Sequence, residues 1–542
     1  MKLALYSSRL KTLYPFQEFA VCRGFSGFQG RTSIKSPVVS PRNPLTSGKL
    51  ARMEHIYTPP GYDTSYPSLL RAVYDVNSLL KKDGIMAPST GSLCNTRRVY
   101  ELIDRPLDSI PVVHVGGTNG KGSTSFKIAE CLHRSGVRTG LFVSPHLSSY
   151  RERVQVDGAL VSEEELLTHM PQVLALCAAN SVPLTLFELT FIYACLQFKA
   201  SGCQAVVLEV GVGGELDATN VVKTRLSIIC SVSLDHTRIL GSTVEEIATK
   251  KGGIFKQGVD ALVGPGCPMD VLRRIAAERG ANLHELESQD TVFSAKGTEG
   301  GAELIDTDAL NADISRKALV LLRAQGNVFA SLEPDSENIQ LILRQSRPPC
   351  RWEVHHVTVP LPRSVESIEP KAASTTTVKV VLDVGHNPAA VGALMKRIKR
   401  DFVGRNVHVL YAMSRDKDVR TCLRSVLAAT PYKRIHFAQS SNFRAISKDD
   451  LAVIFRQETG EELPDLEAAT SWLTAAELAD SANVQLAESA PLRETMIRLF
   501  ALAASEGEES VVVICGTGYI MPDARELIGI KEPRDDRDLL CL

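Results

Sequence analysis

Short, continuous apolar runs alternate along this chain with stretches whose apolar residues recur at helical spacing, and the order of the two patterns sets the expected fold. Residues 66–81 carry Leu69, Leu70, Val73, Tyr74, Val76 and Leu79 at that spacing and predict a helix; 95–103 predict a second, and 84–91 a loop between them. From Ile110 onward the runs 110–115, 139–143, 204–210 and 226–232 predict strands, and 126–132, 163–179 and 187–199 predict helices. Strands that alternate with helices in this way predict a parallel sheet covered on both faces. Residues 247–256 read as a lysine-rich turn, and 270–279 and 312–322 as amphipathic helices.

Pro348 and Pro349, just ahead of Arg351-Trp-Glu353, interrupt the rhythm and mark a domain boundary, while 364–377, rich in Ser, Thr, Glu and Pro, read as an exposed insertion loop. The pattern then resumes, with strands at 378–383, 406–412, 434–438 and 510–515 and helices at 389–398 and 419–429. The expected class is α/β: a larger parallel-sheet domain over 53–347, followed by a smaller, doubly wound, Rossmann-like domain over 348–542. No internal repeat stands out.

Composition changes this picture only at the edges. A chain of 542 residues is too long for one core, and 44% hydrophobic with 23% charged residues is ordinary for a globular protein. A net charge of -1, with no long Lys/Arg block in the folded region, offers no footprint for nucleic acid or an anionic membrane, and neither is expected as a partner. The twelve cysteines include no C-x-x-C pair, which argues against zinc sites and a disulfide framework. Residues 1–52 differ: Lys2, Arg9, Lys11, Arg23, Arg31, Lys35, Arg42, Lys49 and Arg52 face a single acid, Glu18, among recurring serines. That composition reads as a transit peptide, pointing to the mitochondrial matrix with plastid or cytosol as alternatives; a disordered basic tail is the competing reading.

The candidate chemistry begins where the first strand of the larger domain ends. His114-Val-Gly-Gly-Thr-Asn-Gly-Lys-Gly-Ser-Thr124 joins that strand to a helix. Gly116, Gly117, Gly120 and Gly122 let the backbone turn tightly and aim N–H groups at one point, where a helix N-terminus adds partial positive charge. Such a P-loop suits a polyphosphate. Gly117, Thr118, Asn119, Gly120, Lys121, Gly122, Ser123 and Thr124 are its candidate contacts, with Lys121 reaching the outer phosphates and the Ser123 or Thr124 hydroxyl reaching magnesium. Gly122 departs from Walker spacing by separating the lysine from its hydroxyl.

The later strands end in Ser144-Pro-His-Leu147, in Glu209-Val-Gly-Val-Gly-Gly-Glu-Leu-Asp-Ala-Thr-Asn220 and in Leu234-Asp-His-Thr-Arg-Ile-Leu-Gly241, all expected on the rim beside the loop. Ser144, Glu209 and His236 offer hydroxyl, carboxylate and imidazole for a magnesium ion, with Asp217 and Asp235 as further carboxylates. Each has an ordinary alternative: Glu209 as an N-cap, His236 as a satisfied core histidine, Ser144 as a turn residue. Gly211, Gly213 and Gly214 resemble half a dinucleotide fingerprint, but the acidic residues after them would repel a pyrophosphate. Lys250 and Lys251 read by default as a solvated charge pair. In the smaller domain the polar strand end 383–387 is expected to face the larger one.

Together these motifs resemble the folate-synthesising branch of the Mur ligase superfamily, dihydrofolate synthase and folylpolyglutamate synthase. Thr118-Asn-Gly-Lys-Gly-Ser123 is similar to the family's phosphate loop, Ser144-Pro-His-Leu147 with Arg151-Glu-Arg153 to its next motif, Phe187-Glu-Leu-Thr190 to the opening of the helix before the acidic strand, and Tyr411-Ala-Met-Ser-Arg-Asp-Lys-Asp418 to a motif of its C-terminal domain. The resemblance implies ATP and Mg2+ as cofactors and makes Lys121, Lys251 and His236 the catalytic candidates. Ser123, Ser144, Glu209, His236 and Lys251 would hold metal, Lys251 as a carbamate, and Asn311, Arg351, Asp383 and His386 would lie near ATP. It also implies L-glutamate and either dihydropteroate or a reduced folate as substrates; a monomer is expected.

Three positions depart from the family pattern: Lys250 stands in place of glutamate, Gly252 in place of alanine and Glu215 in place of arginine. Two adjacent lysines are expected to lower each other's pKa. Asn119 and Asp217-Ala-Thr-Asn220 resemble dihydrofolate synthase and the bacterial-type enzymes more than eukaryotic folylpolyglutamate synthases, which makes dihydropteroate the favoured acceptor. The alternatives are a folylpolyglutamate synthase or bifunctional enzyme, a nucleotide-binding module without catalysis, and a P-loop kinase.

Overall fold

The computed structural model describes residues 57, 65–82, 93–287, 290–294, 306–360, 375–440, 442, 444–462, 465–470 and 490–536. The leader 1–52, the loop 84–91 and most of the insertion 364–377 lie outside these residues; Thr375 to Thr377 do not, and they form the start of a strand rather than a loop. The described residues all belong to one compact unit, built on two sheets.

Two helices, α1 (Tyr66–Lys82) and α2 (Cys94–Leu102), precede the first sheet. Its strands are β1 (Val112–Gly116), β2 (Thr139–Phe142), β3 (Val154–Val156), β4 (Ala159–Leu160), β5 (Ala205–Glu209), β6 (Leu226–Ile229), β7 (Asp260–Val263) and β8 (Asn282–Glu285). They lie in the order β4-β3-β2-β5-β1-β6-β7-β8, parallel except that β3 pairs antiparallel with β2 and β4 with β3. The helices between them are α3 (Lys121–Arg134), α4 (Glu163–Asn180), α5 (Leu186–Ala200), α6 (Thr237–Leu240), α7 (Val244–Gly252) and α8 (Met269–Arg279); α9 (Thr307–Ala324) and α10 (Glu337–Gln345) come after β8. β1, β2, β5 and β6 are buried along their whole lengths, as strands covered on both faces must be. One core packs α1, α4 and α5 against the sheet, and another packs α3, α9 and α10 against its opposite face.

The second sheet holds β9 (Glu353–Pro360), β10 (Thr375–Asp383), β11 (Asn406–Tyr411), β12 (Ile435–Phe437) and β13 (Ser510–Cys515) in the order β12-β11-β13-β10-β9, with only β9 antiparallel. Its helices are α11 (Pro388–Asp401), α12 (Val419–Leu427), α13 (Lys448–Thr459), α14 (Leu466–Ala469), α15 (Ala490–Ser505) and α16 (Met521–Leu527). α11 to α13 share a core on one face, α15 and α16 a core on the other. Both sheets are therefore of the expected α/β class. The expected turn at 247–256 is instead largely α7, begun by a capping box in which Thr243 and Glu246 each accept a backbone N–H of the other. Helix α7 then places Lys251 in the core side of the turn and Lys250 in solvent.

The chain crosses from one sheet to the other through 346–352, and its C-terminal segment returns to the first. The Asp535 N–H donates to Ser148 O at 2.9 Å, and the Asp535 carboxylate accepts the Tyr66 hydroxyl (2.8 Å), the Ser149 hydroxyl (3.0 Å) and the Tyr150 N–H (2.6 Å). Glu532 beside it accepts from the Ser148 hydroxyl and from Arg525. A buried carboxylate with three donors leaves all three unpaired if it is removed. Asp535→Ala should therefore cost about 3 kcal/mol and lower the calorimetric melting temperature; an unchanged melting temperature would show that this clasp contributes nothing.

Candidate active site

Parallel strands send their C-terminal ends to one edge, and here the two such edges meet. Asn119, Leu147 and Asp235 come after β1, β2 and β6; Asn387, Lys417 and Gly518 come after β10, β11 and β13. Asn119 and Asn387 exchange amide hydrogen bonds at 3.3 and 2.9 Å, Asn387 also donates to Asp235 at 3.2 Å, Lys417 Nζ lies 2.9 Å from Asp235, and Leu147 approaches Gly518. The polar strand end 383–387 thus faces the first sheet as expected.

The glycine loop is shaped by close approaches. Gly117 (φ 142°) lies where a Cβ would press on Cys230 and the Ser231 N–H, and at Gly120 (φ 86°) a Cβ would strike the Asn311 side chain. Thr118 N–H donates to Ser231 O at 2.8 Å, and Asn119 N–H to the Ser231 hydroxyl at 2.9 Å. Gly120 is the N-cap of α3 and no side chain caps it, so the first N–H groups of the helix point into the site. Asn311, on α9, sits against this turn with its Oδ1 3.5 Å from the Thr124 hydroxyl. That hydroxyl is also 3.4 Å from Cys230 Sγ in the core, so Thr124 turns its hydroxyl inward.

Lys121, the first residue of α3, donates to Thr118 O at 3.2 Å, and its charge acts on Glu209, Lys251 and His236 alike. Glu209 ends β5 as a fully enclosed carboxylate and caps no helix. Its Oε2 accepts the Ser144 N–H at 2.9 Å, and the carboxylate lies against Gly122, where a Cβ would sit in ordinary contact 3.4 Å from Oε1. Burial raises the Glu209 pKa, opposed by Lys121, the Ser144 N–H and Arg351. Ser144 therefore meets Glu209 through its backbone, next to a cis Ser144–Pro145 peptide.

Lys251 is buried and donates to Gly117 O at 2.7 Å, which makes it a neighbour of the glycine loop rather than a solvated charge. Its pKa falls to about 7, first through burial and then through Lys121; the exposed neighbour Lys250, expected to be the cause, is not among the contributors. His236 is half-buried in a left-handed turn (φ 49°) and not a core histidine; burial and then Lys417, whose Nζ is 3.5 Å from its Nε2, lower its pKa. Burial works to raise the Asp235 pKa, but Lys417 outweighs it and holds the carboxyl at about 2.

From the second sheet, Asp383 accepts the Trp352 N–H (2.9 Å) and the Gly385 N–H (2.8 Å); burial raises its pKa and Arg351 opposes the rise. His386 donates Nδ1–H to Val384 O at 2.9 Å, with a pKa lowered to about 4 by burial and then by Lys417 and Arg351. Arg351 thus acts on Glu209 from one sheet and on Asp383 and His386 from the other. Asp217, expected as a rim carboxylate, turns inward: it accepts from Gly211, Val212 and Thr219 N–H groups at 3.0–3.1 Å and from the Thr219 hydroxyl at 2.5 Å. Lys417 and Asn387 join the site without having been candidates, although Asp-Lys-Asp after a strand is a visible signal.

Three cations, Lys121, Arg351 and Lys417, converge with the partly deprotonated Lys251 beside an open helix N-terminus, an arrangement that suits a polyanion. Among the described residues no three His, Cys, Asp or Glu side chains gather as a metal cluster, and the expected metal set contains only Glu209 and His236 of those types. Glu209 with the Ser123 hydroxyl beside the glycine loop supplies hard oxygen donors of the kind that hold magnesium together with phosphate oxygens.

The chain is similar to known proteins over much of its length. The family described as "Mur ligase, glutamate ligase domain" matches residues 369–518. A dihydrofolate synthase/folylpolyglutamate synthase of Bacillus subtilis is 30% identical over 371 residues, covering 66% of this chain and 82% of that protein. A probable bifunctional folylpolyglutamate synthase/dihydropteroate synthase of Haloferax volcanii is 33% identical over 349 residues, covering 61% of this chain but only 39% of its own length. Among solved structures, Escherichia coli FolC in complex with ADP superposes with a TM-score of 0.62 at 26% identity, covering 86% of this chain and 98% of that one. A bifunctional folylpolyglutamate synthase/dihydrofolate synthase with Mn, AMPPNP and L-glutamate bound gives 0.60 at 26% identity, covering 81% and 94%.

The Lys251 environment sets a pH dependence. Between about 7 and 10.5 the unfolded chain holds this proton and the folded protein does not, so the contribution of Lys251 to stability is full above 10.5 and falls as pH drops toward 7. In metal-free, carbonate-free buffer Lys251→Met should remove that contribution to the slope, Lys256 keeping its own of the same sign and the buried thiols theirs of the opposite sign, and stabilise the protein at neutral pH by roughly 3 kcal/mol. Denaturant titrations near pH 7 and near pH 10 measure both; a variant with the wild-type slope would contradict the assignment.

Proposed function

Because this chain belongs to the dihydrofolate synthase/folylpolyglutamate synthase family of Mur ligases, we propose that it uses ATP to join L-glutamate to a folate-type carboxylate, with dihydropteroate as the acceptor. The observation that carries the reading is the convergence of Lys121 and Lys251 from one sheet with Arg351 and Lys417 from the other around the glycine loop. A P-loop kinase built on the first sheet alone leaves the second sheet's contribution without a purpose. Glu215 and Lys250, which motivate the reading of an inactive module, lie apart from this cluster: Glu215 pairs with Arg279 at 2.9 Å and Lys250 is exposed.

The chemistry has two displacements. A carboxylate has no leaving group better than oxide, so its oxygen first attacks the γ-phosphorus of ATP; the bond to the β-phosphate oxygen breaks and ADP leaves. The glutamate amine then attacks the acyl carbonyl, phosphate departs with the C–O electron pair, and the amine loses a proton. The N–H groups at the start of α3, with Lys121 and Arg351, hold the phosphates and meet the charge that develops on the transferred group. Glu209, Ser123, Ser144, His236 and Lys251 are the residues proposed to hold magnesium, which supplies charge neutralisation to the phosphate oxygens. Bringing acceptor and glutamate together between the sheets supplies much of the remaining rate gain. Lys251, with a pKa near 7, presents in part the free amine that carbamylation requires; a protein-bound carbamate signal in 13C-bicarbonate that vanishes in Lys251→Met is the corresponding NMR observation.

A folylpolyglutamate synthase is the second reading, favoured by a 40% identical stretch of 186 residues, 33% of this chain and 30% of the other, in an Arabidopsis thaliana protein of that name. Asn119 and Asp217-Ala-Thr-Asn220 favour dihydropteroate. Purified protein with ATP and glutamate should release ADP on addition of dihydropteroate, and Lys121→Ala should lower that rate by about 10³-fold or more. Product with tetrahydrofolate alone would reverse the acceptor assignment, and unchanged turnover in Lys121→Ala would remove the loop from the mechanism. The basic leader is read as a mitochondrial targeting segment, checked by N-terminal sequencing of the protein from its host, where an intact Met1 would refute cleavage.

A further inference from the structure

Lys127 has no place in the ligation chemistry, yet it is a lysine with no solvent exposure on the helix that begins at the glycine loop. Its Nζ donates to Leu343 O at 2.6 Å and to Ser346 O at 2.8 Å, and lies 3.2 Å from Asp308 Oδ1. All three N–H bonds of the ammonium therefore have acceptors. Two of those acceptors belong to the end of α10, where carbonyls lack helical partners and carry partial negative charge. A methionine would fill the same space without the cost of desolvating a charge, so the ammonium points to a need for those particular acceptors.

The segment just past Ser346 gives that need a meaning. The crossing between the sheets, 346–352, is fastened at both ends. At its start Arg347 pairs with the same Asp308 at 2.7 Å. At its end Trp352 stacks on Phe402 with ring centroids 5.8 Å apart, and the Arg397 guanidinium lies 4.1 Å from its ring. Arg397 and Arg400 of α11 reach back to Asp306, the N-cap of α9, at 3.6 and 3.7 Å. Between the two fastenings the backbone bends sharply, with φ of 54° at Cys350 and 49° at Trp352, and carries Arg351, whose charge acts on Glu209 and Asp383. Lys127 lies roughly 9 Å along α3 from Lys121, at 1.5 Å per residue of a rigid helix.

We propose that Lys127 is a positioning residue that fixes the start of the crossing to the glycine-loop helix, and so sets where Arg351 and the second sheet stand relative to the loop. A nucleotide at the N-terminus of α3 and the orientation of the second sheet are then linked through one helix and one ammonium. The inference rests on the ligase reading only for the role of Arg351 in turnover; the mechanical link is testable without any acceptor.

The test uses the full chain and Lys127→Met. Isothermal titration with ADP should give affinities within about three-fold of wild type, because the variant leaves the loop intact. Hydrogen exchange of the 347, 350, 351 and 352 amides should be slowed by AMPPNP in the wild type; in the variant it should be faster and insensitive to AMPPNP. In turnover the variant should lose at least about ten-fold in kcat with KM for ATP nearly unchanged, and the loss should largely disappear on an Arg351→Ala background. Loss of ADP affinity, unchanged exchange in the crossing, or an equal kcat penalty with and without Arg351 would each overturn the proposal. If Lys127→Met does not fold, Asp308→Asn keeps both carbonyl contacts while removing the shared carboxylate, and the same exchange readout should move in the same direction by a smaller amount. A wild type without ligase activity would sink the functional reading while leaving the exchange result to stand or fall by itself.

Discussion

Charge buried between two sheet edges is the constraint on which the rest of this structure depends. Parallel strands present their carboxyl ends to one side, and where two such edges face each other the loops that leave them must supply polar groups that satisfy one another. Lys417 cannot sit between the sheets without Asp235, because an ammonium removed from water and left unpaired costs several kcal/mol, and the half-buried Arg351 guanidinium is offset by the charges of Glu209 and Asp383. The same pairing that closes the gap leaves an excess of cations beside the start of α3. A site for a polyphosphate is thus a by-product of how the edges are made to fit.

Pairing across the gap also decides what each half contributes. The first sheet provides the uncapped helix, the carboxylate at the end of β5 and the two lysines Lys121 and Lys251. The second provides Arg351, Lys417 and the amide of Asn387, whose Oδ1 at the same time caps α11 by accepting the Ala390 N–H. The C-terminal segment closes the arrangement from the far side, with Asp535 seated on the Ser148 to Tyr150 turn after β2. Two fastenings therefore set the angle between the sheets, this clasp and the crossing at 346–352.

Much of this was legible in the sequence because buried parallel strands are continuous apolar runs that stop where the chemistry starts. Val112–Gly116, Ala205–Glu209 and Ser510–Cys515 obey that rule, and the residues at their ends were found with them. Edge strands do not. β9, at one edge, alternates with His355 and His356 and faces solvent on one side, and β8, at another, is nowhere fully buried, while β7 lies inside its sheet but offers only Ala261-Leu262-Val263 after Asp260, so no long apolar run announces them. Tertiary contacts were illegible for a different reason: that Asp217 turns inward to three backbone N–H groups, or that Asn311 closes over Gly120, depends on how distant segments meet. Motif order placed Asn311 at the loop only by resemblance.

Lys250 and Lys251 show how narrow the margin is between a readable and an unreadable residue. Adjacent positions on an α-helix point about 100° apart, so once Thr243 and Glu246 start α7 one lysine must face the sheet if the other faces water. The dipeptide alone supports a solvated pair or mutual pKa depression equally well; the helix abolishes both readings by separating the side chains. What depresses Lys251 is its burial against Gly117 and the charge of Lys121, a residue far away in sequence. The departures at 215 and 250 meet through the Glu215 N–H, which donates to Lys250 O at 2.9 Å, and Glu215 turns its carboxylate to Arg279 on α8. Both therefore lie on the solvent side of α7, and the face of the same helix that touches the glycine loop carries Lys251.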